Sequence, residues 1–91
     1  MELEELLTQL NIKDEGDYSN DSYIIDLDNS DTYGKTYTKL EKSNLLEPLE
    51  ENQVVTLQGS SLMYKTTDNS YIINLISDWE GNKYQLIINE I

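Results

Sequence analysis

Tyr71-Ile72-Ile73-Asn74-Leu75-Ile76 and Tyr84-Gln85-Leu86-Ile87-Ile88, joined around Gly81-Asn82, form the most apolar part of the chain, and their reading decides the fold. Both runs are short, rich in Ile and Tyr, and bounded by turn formers. Those features describe the two strands of a hairpin. Their apolarity puts them at the centre of a sheet.

Working back toward the amino terminus, Asp68-Asn69 marks a turn, and Leu62-Met63-Tyr64-Lys65-Thr66 reads as a partner strand. Gly59-Ser60 separates it from the β-branched run Gln53-Val54-Val55-Thr56-Leu57. Ser43 or Asn44 caps a short helical turn containing Leu45, Leu46 and Leu49, which Pro48 keeps brief. Tyr23, Ile25 and Leu27 alternate with Ile24, Asp26 and Asp28, the period of a strand with one solvated face. Asn29-Ser30-Asp31-Thr32-Tyr33-Gly34 reads as a turn, and Lys35-Thr36-Tyr37-Thr38-Lys39-Leu40 as the returning strand. Residues 13 to 22 are polar and rich in turn formers, and read as a loop.

At the start of the chain, Leu3, Leu6, Leu7 and Leu10 fall at i, i+3, i+4 and i+7, which predicts a helix over residues 2 to 11. Glu2, Glu4 and Glu5 in its first turn suit the positive end of the helix dipole. A helix so short is unstable in isolation and must dock its Leu stripe on another element. The expected architecture is α+β: one domain over residues 1–91, with a short N-terminal helix packed on an antiparallel sheet of about five or six strands. One face of that sheet is expected to be the wetter. Either edge could pair with a second copy, so monomer and homodimer both remain open.

One internal echo bears on the fold. Ser22-Tyr23-Ile24-Ile25-Asp26-Leu27 repeats as Ser70-Tyr71-Ile72-Ile73-Asn74-Leu75 at five of six positions. After a one-residue offset, Ser30-Asp31, Gly34 and Tyr37 match Ser77-Asp78, Gly81 and Tyr84. Two hairpins with the same turn spacing are implied, whether by duplication or by coincidence.

Composition removes several kinds of chemistry. The 91 residues contain no Cys, no His and no Arg. Disulfides, thiol nucleophiles and Cys/His zinc sites are therefore excluded, as are the usual neutral-pH base and the bidentate guanidinium fork. The four Gly are scattered and form no phosphate-cradling loop. Asp26, Asp28, Ser30 and Asp31 alternate like a calcium loop, but Asp31 and Tyr37 stand where such a loop needs Gly and a bidentate Glu. Carboxylate pairs occur all along so acidic a chain and carry no specificity. The chain reads as a non-enzyme without cofactor or metal. An acidic amino terminus and the lack of a long apolar run predict a protein outside the membrane. The missing Ala and Phe, with frequent Asn, Ile, Lys and Tyr, match AT-rich coding. That bias fits a low-GC bacterium or its phages, and the expected location, read from the amino terminus and the apolar runs, is the cytoplasm of the bacterial host.

The formal charge is -12. It opposes direct contact with nucleic acid or anionic membrane. Residues 1 to 51 hold 14 of the 18 acids and four of the six Lys, whereas residues 52 to 91 hold four acids and two Lys. A lopsided potential of this kind steers and orients a basic partner, while mere solubility needs no polarity. Seven Tyr and one Trp supply aromatic surface, and Tyr18, Tyr33 and Trp79 fall in segments read as loops. Such residues suit protein interfaces.

In size, acidity, lack of Cys and α+β outline, the whole chain resembles small phage-encoded DNA-mimic inhibitors, such as uracil-DNA glycosylase inhibitor and anti-CRISPR proteins. Glu2-Leu3-Glu4-Glu5-Leu6-Leu7 and Asp26-Leu27-Asp28-Asn29-Ser30-Asp31 match their style. The resemblance implies a non-catalytic inhibitor that occupies the basic groove of a nucleic-acid-binding protein. Asp14, Glu15, Asp17, Asp21, Asp26, Asp28 and Asp31 would stand in for phosphates. The alternative is an accessory, immunity-type or phage structural protein that binds through Tyr33, Trp79 and their neighbours.

Overall fold

The described residues fold as an α+β unit of two helices and a six-stranded antiparallel sheet. The computed structural model describes residues 1–55, 59–78, 80 and 83–91, without the side chains of 50–55. The elements are α1 (Leu3–Leu10), β1 (Asp17–Ser19), β2 (Ser22–Leu27), α2 (Ser30–Lys42), β3 (Leu46–Val55), β4 (Gly59–Thr66), β5 (Tyr71–Asp78) and β6 (Tyr84–Glu90). The sheet order is β1-β2-β6-β5-β4-β3. The central strands are therefore those expected from their apolarity, and the last strand sits between β2 and β5.

Register sends alternate residues to opposite faces. Leu62, Leu75, Leu86 and Ile25 align in one row across β4, β5, β6 and β2, and Tyr64, Ile73, Ile88 and Tyr23 align in the next. Both rows face the core. Leu6, Leu7 and Leu10 of α1 and Leu40 of α2 join the same cluster. Both helices thus cover one face of the sheet. Each fully buried Leu or Ile contributes about 2 kcal/mol of transfer free energy, which is what holds an eight-residue helix such as α1 in place. Asn11, at φ 56°, ends α1 in a left-handed cap, and its carbonyl accepts from Lys39 Nζ at 2.6 Å. Tyr64 Oη donates to Glu41 Oε2 at 2.7 Å and ties α2 to β4. Burial raises the Tyr64 phenol well above its usual range, and the Glu41 carboxylate raises it further.

The opposite face carries Ile24, Met63, Ile72, Asn74, Ile76 and Ile87, all half-buried. No helix covers it among the described residues. Asn74 Oδ1 is buried there without a partner.

Four expectations are corrected. Residues 30–42 form α2, not a turn followed by a strand. Asn29 Oδ1 accepts the Thr32 N–H at 3.0 Å and caps the helix, Asp31 lies in the first turn, and Lys39 and Lys42 lie in the last. Those charges match the helix dipole. Tyr33, Thr36 and Leu40 face inward at helical spacing, and Tyr33 and Thr36 are three apart, which no strand period accommodates.

Residues 46–49 belong to strand β3, not to a helical turn. Pro48 fits because β3 is an edge strand, and the register shifts between Pro48 and Gln53. The expected strand end at Thr56 and Leu57 lies outside the described residues, as does the turn at Gly81-Asn82.

The polar segment 13–22 is more than a loop. Asp17–Ser19 pairs with Ser22–Ile24 through a two-residue turn, with Asn20 at φ 51° and Asp21 at φ 67°. Positive φ at both central residues gives the twist that suits a tight hairpin.

Finally, the echo does not make two equivalent hairpins. β5 continues into β6, whereas β2 continues into a helix. The two similar segments instead flank β6 from either side.

Candidate functional site

The β1–β2 hairpin builds the outer wall of the site. Tyr18 is 69% exposed, and its ring meets that of buried Tyr23 edge-on at a centroid distance of 5.3 Å. The Tyr23 hydroxyl donates to Asp14 Oδ1 and accepts the Gly16 N–H at 3.0 Å. One phenol therefore holds both the loop before β1 and its carboxylate. Gly16 lets this loop approach closely: a Cβ there would lie 2.6 Å from the Ile24 carbonyl oxygen.

Two clefts adjoin around Tyr18. One, of about 470 Å³, is lined by Leu3, Tyr18, Asp21, Tyr23, Tyr71, Ile88, Asn89, Glu90 and Ile91. The other, of about 500 Å³, is lined by Glu2, Leu3, Glu4, Asp14, Gly16, Asp17, Tyr18 and Tyr23. Six carboxylates from α1, the following loop, the hairpin and β6 thus line one edge: Glu2, Glu4, Asp14, Asp17, Asp21 and Glu90. No Lys lines either cleft. The ion pairs among the described residues lie elsewhere, between the Met1 ammonium and Asp68 (3.5 Å), Lys35 and Asp31 (3.2 Å), and Lys65 and Glu47 (3.0 Å). The Tyr71 phenol in the first cleft titrates above its usual range, because it is buried and because Glu90 and Glu2 disfavour a further negative charge. No three described carboxylates lie close enough to hold a metal ion together. What such an edge can do is attract and orient a cationic surface.

The residues expected from sequence divide between two places. Asp14, Asp17 and Asp21 come together on this edge. Glu15 is exposed beside them but lines neither cleft. Asp26 lies on the uncovered sheet face, where Gln85 Nε2 donates to it at 3.1 Å. Asp28 is exposed past the far end of β2, and Asp31 is paired with Lys35 on α2. The six residues of β2 between Asp21 and Asp28 separate the groups by roughly 20 Å. Tyr33 is not in a loop: it is half-buried on α2, packs against the core, and meets the Tyr84 ring at a tilt, with centroids 5.5 Å apart. Trp79 lies outside the described residues.

Glu2, Glu4 and Glu90 join the edge although only Glu2 and Glu4 stood out in the sequence, and then as partners of a helix dipole. Their meeting depends on where β6 inserts, and no local pattern signals it.

A scan against protein-family models found no match, and searches of curated proteins and of solved structures likewise found none. Fold and site together describe a small α+β protein with an open antiparallel sheet and one acidic edge. No helix among the described residues is long and apolar enough to cross a membrane.

Proposed function

We propose that the chain is a non-catalytic binding protein whose acidic edge engages a basic, nucleic-acid-binding protein in place of phosphate, as a phage or mobile-element inhibitor of anti-CRISPR type would. The observation that carries this reading is the edge itself: six carboxylates on four segments of chain, with no ion pair to lysine and none of them grouped to bind metal. Carboxylates held on paired strands and a docked helix lose little entropy on meeting lysines and arginines. An exposed aromatic ring at their centre adds contact area of the kind that anchors interfaces.

The test is capture from bacterial lysate on the immobilised chain, with duplex DNA as competitor and a salt series. A mimic captures nucleic-acid-binding proteins, releases them to added DNA, and loses affinity steeply between about 50 and 200 mM salt. Capture that ignores both DNA and salt overturns the reading.

A second reading draws on the uncovered sheet face. Ile24, Met63, Ile72, Ile76 and Ile87 there would suit an accessory or structural protein that binds through apolar contact. Its binding would survive high salt.

A further inference from the structure

We infer that the cleft between Tyr18 and Tyr71 is an anchor site for one arginine side chain of the partner, an inference that rests on the reading of this edge as a surface for a basic protein. The cleft differs from the acidic groove beside it. Tyr18 and Leu3 give it aromatic and aliphatic surface above the nearly buried Tyr71 and Ile88, and its carboxylates, Asp21 and Glu90, come from the β1–β2 turn and from β6. An aliphatic stem can lie along Leu3, which is only partly buried. A planar cation can then meet the Tyr18 ring, which is mostly free of protein contact, and direct its N–H groups at the two carboxylates.

Guanidinium suits this combination better than ammonium. It is planar, less strongly hydrated, stacks on aromatic faces and offers donors in several directions. A second copy of this chain could offer the cleft only lysine, because all six Lys/Arg residues are lysine. Charge complementarity and the missing arginine therefore point to the same occupant, an arginine supplied by a different protein.

The experiment is an NMR titration of the full 91-residue chain with three capped peptides alternating glycine with arginine, lysine or citrulline. Ring signals of Tyr18 and Tyr71 and the backbone amides of residues 2–21 are followed. The inference expects both rings to shift saturably with the arginine peptide, more weakly with lysine and not with citrulline. Tyr18→Phe should bind as the parent does, while Tyr18→Ala should weaken the arginine peptide by roughly three- to five-fold, the scale of an exposed cation–π contact. Asp21→Asn with Glu90→Gln should lower affinity and erase the preference for arginine over lysine. Tyr18 is largely exposed, so its truncation leaves the core intact; unchanged amide dispersion verifies that.

Three results would overturn the inference. Equal binding of the lysine and arginine peptides to the parent chain removes the preference on which the anchor rests. Shifts confined to the amides of Glu4, Asp14 and Asp17, with both rings unmoved, remove the anchor but leave the acidic edge standing. The absence of saturable change anywhere along the edge removes both.

Discussion

The two ends of β2 carry similar acids in different surroundings. At its amino-terminal end, Asp14, Asp17 and Asp21 gather with Glu2, Glu4 and Glu90 around an exposed tyrosine, and none forms an ion pair. At the other end, Asp26 accepts a hydrogen bond from Gln85, and Asp31 faces Lys35 at 3.2 Å. Asp28 stands between them, exposed. The lesson is that density of carboxylates along a sequence says little by itself. A field able to direct a partner arises where several chain segments bring acids together without cations, and only one end of β2 satisfies that condition.

The contrast can be broken most directly by neutralising each end in turn. Replacing Glu4→Gln, Asp14→Asn, Asp17→Asn and Asp21→Asn together should weaken a basic peptide by roughly 30-fold or more at low salt, at about 0.5 kcal/mol or more per charge. Replacing Asp26→Asn, Asp28→Asn and Asp31→Asn should change it by less than about three-fold on the same scale. Calorimetric titration of both variants with the arginine peptide decides the matter. Equal losses would mean that the two ends work as one diffuse charge.

A second test concerns the scaffold of the acidic end. Gly16→Ala drives a methyl to within 2.6 Å of the Ile24 carbonyl oxygen and 2.8 Å of the Tyr23 ring. It should destabilise the fold by about 2 kcal/mol, a typical overpacking penalty. Tyr23→Phe leaves the packing but removes the phenol that joins Asp14 to Gly16, and should cost about 1 kcal/mol. Urea denaturation gives both values. Peptide affinity should fall for Tyr23→Phe as the Asp14 loop loosens, with no change in the environment of Asp28.

A smaller effect has the opposite sign. Asp21 occupies φ 67°, where glycine is favoured. Asp21→Gly should stabilise the hairpin by roughly 0.5–1 kcal/mol while weakening peptide binding. Stability and binding moving in the same direction would argue that Asp21 serves the turn alone.

The smallest effect is a pH dependence. Hydrogen bonds from Ser70 and Thr66, with a lesser contribution from the chain's ammonium group, lower the Asp68 carboxyl from 3.8 to about 2. A depressed folded-state value means that the stabilisation is fully present above the unfolded value and disappears as pH falls from about 4 toward 2. Asp68→Asn should flatten that part of the acid-unfolding curve and leave stability at neutral pH slightly lower.

How much of this could be read from sequence depends on which period each segment obeys. The Leu stripe of α1 and the alternation in β2 each fit one period cleanly, and the Tyr/Ile runs of β5 and β6 are too short and β-branched to be helices. These elements appear as expected. The region 30–42 misled because Thr32, Thr36 and Thr38 favour strands and Gly34 weakens a helix, while the decisive signals are the Asn29 cap and the spacing of Tyr33, Thr36 and Leu40. The region 46–49 misled in the other direction: Leu45, Leu46 and Leu49 imitate helical spacing, and only an edge position makes room for Pro48 within a strand. The acidic edge was half legible. Asp14, Asp17 and Asp21 are close in sequence, but Glu2, Glu4 and Glu90 reach them only through tertiary structure.

The insertion of β6 between β2 and β5 has a consequence for how the protein comes into being. During synthesis, the first hairpin emerges some sixty residues before the strand that must lie beside it. Until residues 84–90 leave the ribosome, its acids hang on a chain with no sheet beneath them, and the nascent product is merely a negatively charged polypeptide. The acidic edge therefore takes shape only once β6 has paired with β2. A truncated product would carry nearly all of the charge and none of its geometry.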